Sequence, residues 1–183
     1  MDLVILDRDG VINHDSPDFI KSPEEWQAIS GSLEAIAALS AAGIRVAIAT
    51  NQSGVGRGLF SQEDLEAIHL HMIAAIEAAG GTIDRVVFCP HAPQANCDCR
   101  KPRIGLFKQI AEHFELTLPL EGVPCIGDSP RDIEAARGAG GRPILVLTGN
   151  GAETAAGMDS GTSPEIFDTL SDAVVMLLDK DNC

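Results

Sequence analysis

The chain has 183 residues, 45% hydrophobic and 22% charged, values typical of a globular protein that can bury a core. Its net charge of −14 argues against nucleic acid as a partner, because binding to phosphate backbones needs a basic surface. No apolar run approaches the roughly 20 residues that span a bilayer, and the start MDLVILDRDG lacks the basic segment of a signal peptide, so we expect a cytoplasmic protein with no membrane partner.

Short apolar runs alternate with helical patterns along the chain. In order, we predict a strand at 3–7, a helix at 32–43, a strand at 44–50, a helix at 61–80, a strand at 84–89, a helix at 104–114, a strand at 123–128, a helix at 130–140, a strand at 142–149 and a last helix near 164–179. This alternation predicts an α/β fold, a Rossmann-like parallel sheet with helices on both faces. The run 149–163 is predicted to be a loop, and residues 1–183 a single domain.

Residues capable of chemistry follow four of these strands. Asp7 and Asp9 come after the first strand, Thr50 after the second, Cys89 after the third and Asp128 after the fourth. In open parallel sheets, ligands bind outside the carboxyl ends of the strands. We therefore expect these side chains to converge on one pocket.

The segment DRDG presents a pair of carboxylates. Residues two apart in an extended chain point the same way, so Asp7 and Asp9 can face one pocket while Arg8 turns away from it. One ionised and one protonated carboxyl would supply a nucleophile or metal ligand and a proton carrier. A solvated surface turn is the alternative for this pair alone.

Two later segments add a phosphate site and a metal site. The run TNQSGVGRG, residues 50–58, offers backbone N–H groups that can hold phosphate oxygens. In GDSPRD, Asp128 would complete an oxygen-only magnesium site with Asp7. Ser129 and Pro130 read as a helix N-cap and first residue.

The order of DxD, strand-end Thr, Lys and GDxxxD resembles that of the haloacid dehalogenase-like (HAD) phosphatases. The resemblance implies that Asp7 attacks phosphorus and that Asp9 is the acid/base. It implies that Thr50 and Lys101 hold the phosphoryl group, and that Asp7, the backbone carbonyl of Asp9, and Asp128 hold Mg²⁺. Cation and lysine would screen the repulsion between nucleophile and phosphate.

The segment CPHAPQANCDCRKP, residues 89–102, predicts a zinc-binding loop. Three thiolates and one imidazole make a full tetrahedral set with no open position, so the zinc would be structural. The ligands are Cys89, His91, Cys97 and Cys99. The rivals are a Cys97–Cys99 redox pair and cysteines that merely pack. A rigid metal loop would hold Arg100 and Lys101 over the phosphate pocket.

This loop also resembles that of two cap-less groups within the family, the heptose bisphosphate 7-phosphatases and the histidinol-phosphate phosphatases. Too few residues separate Asp7, Thr50 and Lys101 for a cap domain. Ser53 and Arg57 in TNQSG…RG favour the heptose group, whereas the short zinc loop is typical of the histidinol group. The substrate contacts implied by resemblance are Asn13, Asp15, Ser16, Pro17, Asp18, Thr50, Asn51, Gln52, Ser53, Arg57, Arg100 and Lys101.

The resemblance, together with the zinc-binding loop, implies a magnesium-dependent sugar-phosphate phosphatase with a structural zinc. The resemblance implies cleavage of D-glycero-D-manno-heptose 1,7-bisphosphate at C7, for heptose and lipopolysaccharide precursors. Histidinol-phosphate phosphatase is the alternative within the class, and a non-catalytic zinc-stabilised module that binds phosphorylated ligands is the alternative outside it. With no heptads or exposed apolar stripe in the sequence, we expect a monomer.

Overall fold

The protein forms one six-stranded parallel sheet, with strand order β3-β2-β1-β4-β5-β6. The computed structural model describes residues 2–158 and 163–181. The strands are β1 Leu3–Leu6, β2 Arg45–Asn51, β3 Arg85–Cys89, β4 Pro124–Gly127, β5 Arg142–Val146 and β6 Glu165–Phe167. None of the helices in these two ranges has the length and apolar character that a membrane crossing requires.

Seven α-helices connect or follow the strands within the described ranges. They are α1 Ser32–Ala41, α2 Ser53–Gly56, α3 Gln62–Ala78, α4 Gly105–His113, α5 Pro130–Gly138, α6 Gly151–Ala156 and α7 Leu170–Asp181. Two short 3₁₀ segments lie at Pro23–Glu25 and Pro93–Ala95. Between β1 and α1, and between β2 and β3, the chain forms no additional domain.

The core lies on both faces of the sheet, because strands buried on two sides carry apolar residues at every position. All four residues of β1, the central strand, are buried. Val4 and Leu6 face the layer of α1, α3 and α7. Leu3 and Ile5 face the layer of α4 and α5. The parallel α/β fold predicted from the sequence is confirmed.

The prediction is wrong after β5. The run 149–163 is not all loop, since it contains α6, and residues 159–162 lie outside the described part. The last helix begins at Leu170, because Glu165–Phe167 pairs with β5 as the edge strand β6. The strand β6 was missed because three residues are too few to show the alternation of a strand. The helix α6 was missed because the small residues of GAETAA show no clear apolar face.

Helix starts near the site follow the predicted capping chemistry. Ser129 precedes Pro130, the first residue of α5, and forms a reciprocal capping box with Asp132. Ser61 and Asp64 form the same kind of box at α3. The start of α5 thus fixes the Asp132 carboxylate at the carboxyl end of β4.

We expect Ile68→Ala to lower the free energy of unfolding by about 2–5 kcal/mol, because it leaves a cavity in the core. Ile68 is fully buried on α3. Leu70 lies on the same helix but is 69% exposed, so Leu70→Ala should change the value by only about 0.5 kcal/mol. Chemical denaturation measures both, and equal losses would contradict the assigned packing of α3.

Candidate active site

A cleft of about 260 Å³ opens at the carboxyl ends of β1, β2 and β4. Both acidic and cationic side chains line it. Its lining comprises Asp7, Asp9, Asp15, Ser16, Phe19, Thr50, Asn51, Gln52, Ser53, Arg57, Arg100, Lys101, Asp128, Ser129, Arg131, Asp132 and Asn150. The convergence of strand-end residues predicted from the sequence therefore occurs.

A buried ammonium group lies among the acids at the floor of the cleft. The Nζ of Lys101 lies 3.0 Å from Oδ1 of Asp7 and 2.5 Å from Oδ1 of Asp132. It also donates a 2.6 Å hydrogen bond to the carbonyl of Ala49. Burial alone would lower the pKa of Lys101, but the charges of Asp132 and Asp7 outweigh it and raise that pKa. Lys101 is therefore a fixed positive charge.

One lysine does not balance the carboxylates around it. Asp7, Asp128 and Asp132 each place an oxygen within 4.8 Å of the others. Burial, followed by the charge of Asp132, raises the pKa of Asp7 well above its usual value. Burial raises the pKa of Asp128 to about 6. An oxygen-only cluster with excess negative charge suits a hard divalent cation such as Mg²⁺.

Two glycines make room for the Asp128 carboxylate. A Cβ on Gly10 or Gly149 would lie 2.1 or 2.2 Å from Oδ2 of Asp128, and both residues have positive φ, +81° and +57°. The backbone N–H and the side-chain amide of Asn150 donate to this oxygen at 2.7 and 3.0 Å. The loop after β5 therefore completes this part of the site.

Arg8 does not line the cleft, in keeping with the prediction that it turns away from the pocket, but its contact with Asp9 was not predicted. Its Nε and Nη2 donate to Oδ1 of Asp9 at 3.0 and 2.8 Å. β1 ends at Leu6, and the N–H of Ile12 donates to the carbonyl of Arg8 at 2.8 Å in a tight turn. Strand alternation therefore does not apply to Arg8.

Asp9 is held as an ionised carboxylate in this arrangement. Burial by itself would raise its pKa, but the charge of Arg8 and hydrogen bonds from Asn13, Arg8 and Gln52 lower it. Asn13 is fully buried and lies below the cleft, donating to Oδ1 of Asp9 at 2.9 Å. An ionised carboxylate in this position can accept a proton from water.

Residues of the TNQS segment support their neighbours. The amide of Gln52 donates to Oγ1 of Thr50 and to Oδ2 of Asp9, both at 2.8 Å. Asn51 holds the backbone of Lys101, accepting from its N–H at 3.0 Å and donating to its carbonyl at 3.1 Å. Thr50 and Lys101 are thus fixed by side chains from the same strand end.

The predicted zinc ligands converge. Among Cys89, His91, Cys97 and Cys99, neighbouring Sγ and Nδ1 atoms lie between 3.2 and 3.6 Å apart. Tetrahedral bonds of about 2.3 Å place sulfur atoms about 3.8 Å apart. The cysteines are free thiols, which disfavours a Cys97–Cys99 disulfide. The donor set and its spacing fit a zinc ion.

Neighbouring contacts hold this loop in place. Nη1 of Arg103 donates to the carbonyls of Asn96 and Cys97 at 2.6 and 2.7 Å. The N–H of Gly56 in α2 donates to the carbonyl of Pro90 at 2.8 Å. These bonds join the cysteine loop to Arg103, which follows it, and to α2.

The outer wall of the cleft is cationic. Arg57, Arg100 and Arg131 line it, and burial, together with repulsion from Arg131 and Arg57, lowers the pKa of Arg100.

Arg131, Phe19 and Asn150 line the cleft but were not predicted from the sequence. The place of Arg131, three residues after Asp128 in GDSPRD, could have indicated it. No local sequence pattern marks Phe19 or Asn150. The side chains of Pro17 and Asp18, predicted substrate contacts, are exposed outside the cleft lining.

A protein-family model and curated relatives match the chain. The model, described as HAD-hydrolase-like, covers residues 98–173. The D-glycero-beta-D-manno-heptose-1,7-bisphosphate 7-phosphatase of Pseudomonas putida is 50% identical over 174 residues, 93% of this chain and 96% of that protein. The enzyme of the same name from Bordetella bronchiseptica is 51% identical over 164 residues, 88% of this chain and 90% of its own.

Solved structures agree with these matches. The D,D-heptose 1,7-bisphosphate phosphatase of B. bronchiseptica, complexed with magnesium and phosphate, superposes with a TM-score of 0.92 at 48% identity. The superposition covers 98% of this chain and 99% of that one. The fold, the site and these similarities lead to one conclusion: the chain belongs to the D-glycero-beta-D-manno-heptose-1,7-bisphosphate 7-phosphatase family of HAD-like hydrolases.

Proposed function

We propose that the protein is a magnesium-dependent phosphatase that removes the C7 phosphate of D-glycero-β-D-manno-heptose 1,7-bisphosphate, in the synthesis of heptose for lipopolysaccharide. The observation that carries the proposal is the buried Lys101 between Asp7 and Asp132, in a carboxylate cluster that Asp128 completes. That constellation lies in a chain 50% identical to a relative named for this reaction. The choice of the β anomer follows the relatives' name.

Asp7 is the nucleophile in this proposal. Its carboxylate would attack phosphorus, forming a bond from Asp7 to the phosphoryl group while the bond from phosphorus to the C7 oxygen breaks. Lys101 and the Thr50 hydroxyl would hold the phosphoryl oxygens. Mg²⁺, held by Asp7, the carbonyl of Asp9, and Asp128, would neutralise charge on the phosphoryl group.

Asp9 is the acid and base. Its carboxylate, ionised in the free protein, would take up a proton from solvent as the substrate binds, give that proton to the departing C7 oxygen and then accept one from the water that hydrolyses the aspartyl-phosphate. The negative charge of a bound phosphate would raise the pKa of Asp9 and so oppose the effect of Arg8. Asp132 takes no direct part, because its carboxylate is engaged by Lys101 and Ser129.

The substrate's second phosphate and sugar would lie toward the open side of the cleft. Arg57, Arg100 and Arg131 offer charge there, and Asp15 and Ser16 offer polar groups for hydroxyls. Arg100 and Lys101 directly follow the cysteine loop, so a structural zinc would hold both over the cleft. Reduced cysteines are typical of the cytosol, where we place the reaction, and we propose a monomer.

The names of the curated relatives disfavour the other two candidates. The matched proteins of P. putida and B. bronchiseptica are both named as heptose bisphosphate phosphatases, not as histidinol-phosphate phosphatases. A module that only binds phosphorylated ligands would need no paired nucleophile and acid/base, yet Asp7 and Asp9 both reach the cleft. The chemistry of the site therefore supports turnover.

Phosphate release tests the proposal. With Mg²⁺, we expect the β anomer of heptose 1,7-bisphosphate to give a kcat/KM well above that of histidinol phosphate, since Arg57, Arg100 and Arg131 suit a second phosphate, and above that of the α anomer, in line with the relatives' name. Omitting Mg²⁺ and adding a chelator is the control. A preference for histidinol phosphate would contradict the assigned substrate, and release without Mg²⁺ would contradict the assigned metal.

We expect Asp7→Asn to lower turnover by roughly 10³-fold or more, because an amide is a poor nucleophile and a weak metal ligand. Asp179→Asn is the matched control, since Asp179 is exposed on α7, away from the cleft. Steady-state phosphate release with Mg²⁺ measures both. Turnover near the wild-type value in Asp7→Asn would rule out the aspartyl-phosphate route.

We expect the purified protein to hold one zinc per chain, and Cys99→Ser to lose it, with a lower thermal unfolding midpoint and lower kcat. Cys125→Ala is the matched control, because Cys125 is buried in the core outside the cluster. Elemental analysis and thermal unfolding are the measurements. Full zinc occupancy in Cys99→Ser would show that the metal lies elsewhere.

A further inference from the structure

We propose that Arg8 is a positioning residue for the reaction, one that aligns the Asp9 carboxylate with the oxygen that leaves. The inference rests on the function proposed above. It begins from the turn after β1, where the carbonyl of Arg8 accepts N–H groups from Ile12 and Asn13 at 2.8 and 3.2 Å. That turn directs the Arg8 side chain under the cleft, where it is only 1% exposed.

The donors to Asp9 are divided unequally between its two oxygens. Oδ1 receives Nε and Nη2 of Arg8 and the amide of Asn13, at 3.0, 2.8 and 2.9 Å. Oδ2 receives the amide of Gln52 at 2.8 Å and shares Nη2 of Arg8 at 2.9 Å. A carboxylate offers about four lone-pair sites. Oδ1 therefore has three donors and Oδ2 two, so the carboxylate is held in one orientation and Oδ2 is its less heavily engaged oxygen.

The guanidinium fixes this division because its donors form a rigid planar fork. Nη2 of Arg8 also donates to Oε1 of Gln52 at 3.1 Å, and the Gln52 amide reaches Thr50 at 2.8 Å. The orientation of Asp9 is thus linked to a hydroxyl that would bind the phosphoryl group. Arg8 does not line the cleft, so it acts through Asp9 and Gln52 and does not touch the substrate.

The neighbouring helix α3 places a histidine near Asp9 and Arg8, but this residue adds no second positive charge. His69 of α3 is buried, and burial, followed by the charge of Arg8, lowers its pKa to about 3. The ring is therefore neutral beside Arg8. It packs edge-on against Phe88, with ring centroids 5.6 Å apart.

The leaving group provides the test. Loss of a C7 alkoxide needs the Asp9 proton, which moves to that oxygen as its bond to phosphorus breaks. A 4-nitrophenolate leaves without such help, because the ring stabilises its charge. If Arg8 only supported the fold, its loss would slow both reactions alike. If it aligns Asp9, its loss lowers kcat/KM for the sugar phosphate more than for the nitrophenyl ester.

The experiment compares kcat/KM for heptose 1,7-bisphosphate and for 4-nitrophenyl phosphate, with Mg²⁺, in Arg8→Met and Arg8→Lys. We expect Arg8→Met to lower the ratio of the two values by about 10²-fold, within the usual range of general acid catalysis. Arg8→Lys should lower it by at least about 10-fold, because an ammonium keeps the charge but lacks the fork. The ratio does not depend on the fraction of folded enzyme.

Arg85→Gln is the matched control, since Arg85 is exposed at the opposite end of the sheet and its loss should leave the ratio unchanged. Equal losses on both substrates would overturn the inference, and so would a wild-type ratio in Arg8→Lys, which would show that charge alone matters. A wild-type protein that releases phosphate from neither substrate would contradict the proposed function, and this inference with it.

Discussion

The buried ammonium group of Lys101 is the contact on which the rest of the site depends. It joins Asp7 after β1, the carbonyl of Ala49 in β2 and Asp132 at the start of α5. A buried charge is costly unless it is paired and hydrogen-bonded, and removing one partner leaves the others uncompensated. The three elements are therefore held in one arrangement, which places the proposed nucleophile, Asp7, beside the positive charge that a phosphoryl group requires.

The position of Lys101 is in turn set by two neighbours. The Asn51 side chain binds the backbone N–H and carbonyl of Lys101, so the end of β2 fixes the position of the Lys101 backbone. The cysteine loop ends at Cys99, two residues earlier, and its four donors converge within zinc-binding distance. A metal in that loop would thus affect the chemistry only by holding Arg100 and Lys101. In this way a structural ion can influence kcat without touching substrate.

Much of this arrangement could be predicted from the sequence, because parallel strands bring their carboxyl ends to one edge. That rule places Asp7, Thr50 and Asp128 together without any knowledge of packing. Arg8 stays outside the cleft lining, as predicted, but its contact with Asp9 was missed, because β1 stops at Leu6 and a turn directs the side chain. The edge strand β6 was missed because three residues carry too short a pattern. Arg131 was missed because its place in the cleft lining depends on the orientation of α5, which the sequence does not show.

The claim central to this account is that Asp7 carries the phosphoryl group during turnover. The most direct test is rapid acid quenching of the enzyme with substrate labelled in its C7 phosphate, followed by peptide mapping. The account predicts label on the peptide containing Asp7, lost on treatment with base and absent from Asp7→Asn. Label on another residue, or rapid turnover with no labelled protein at any time, would contradict it.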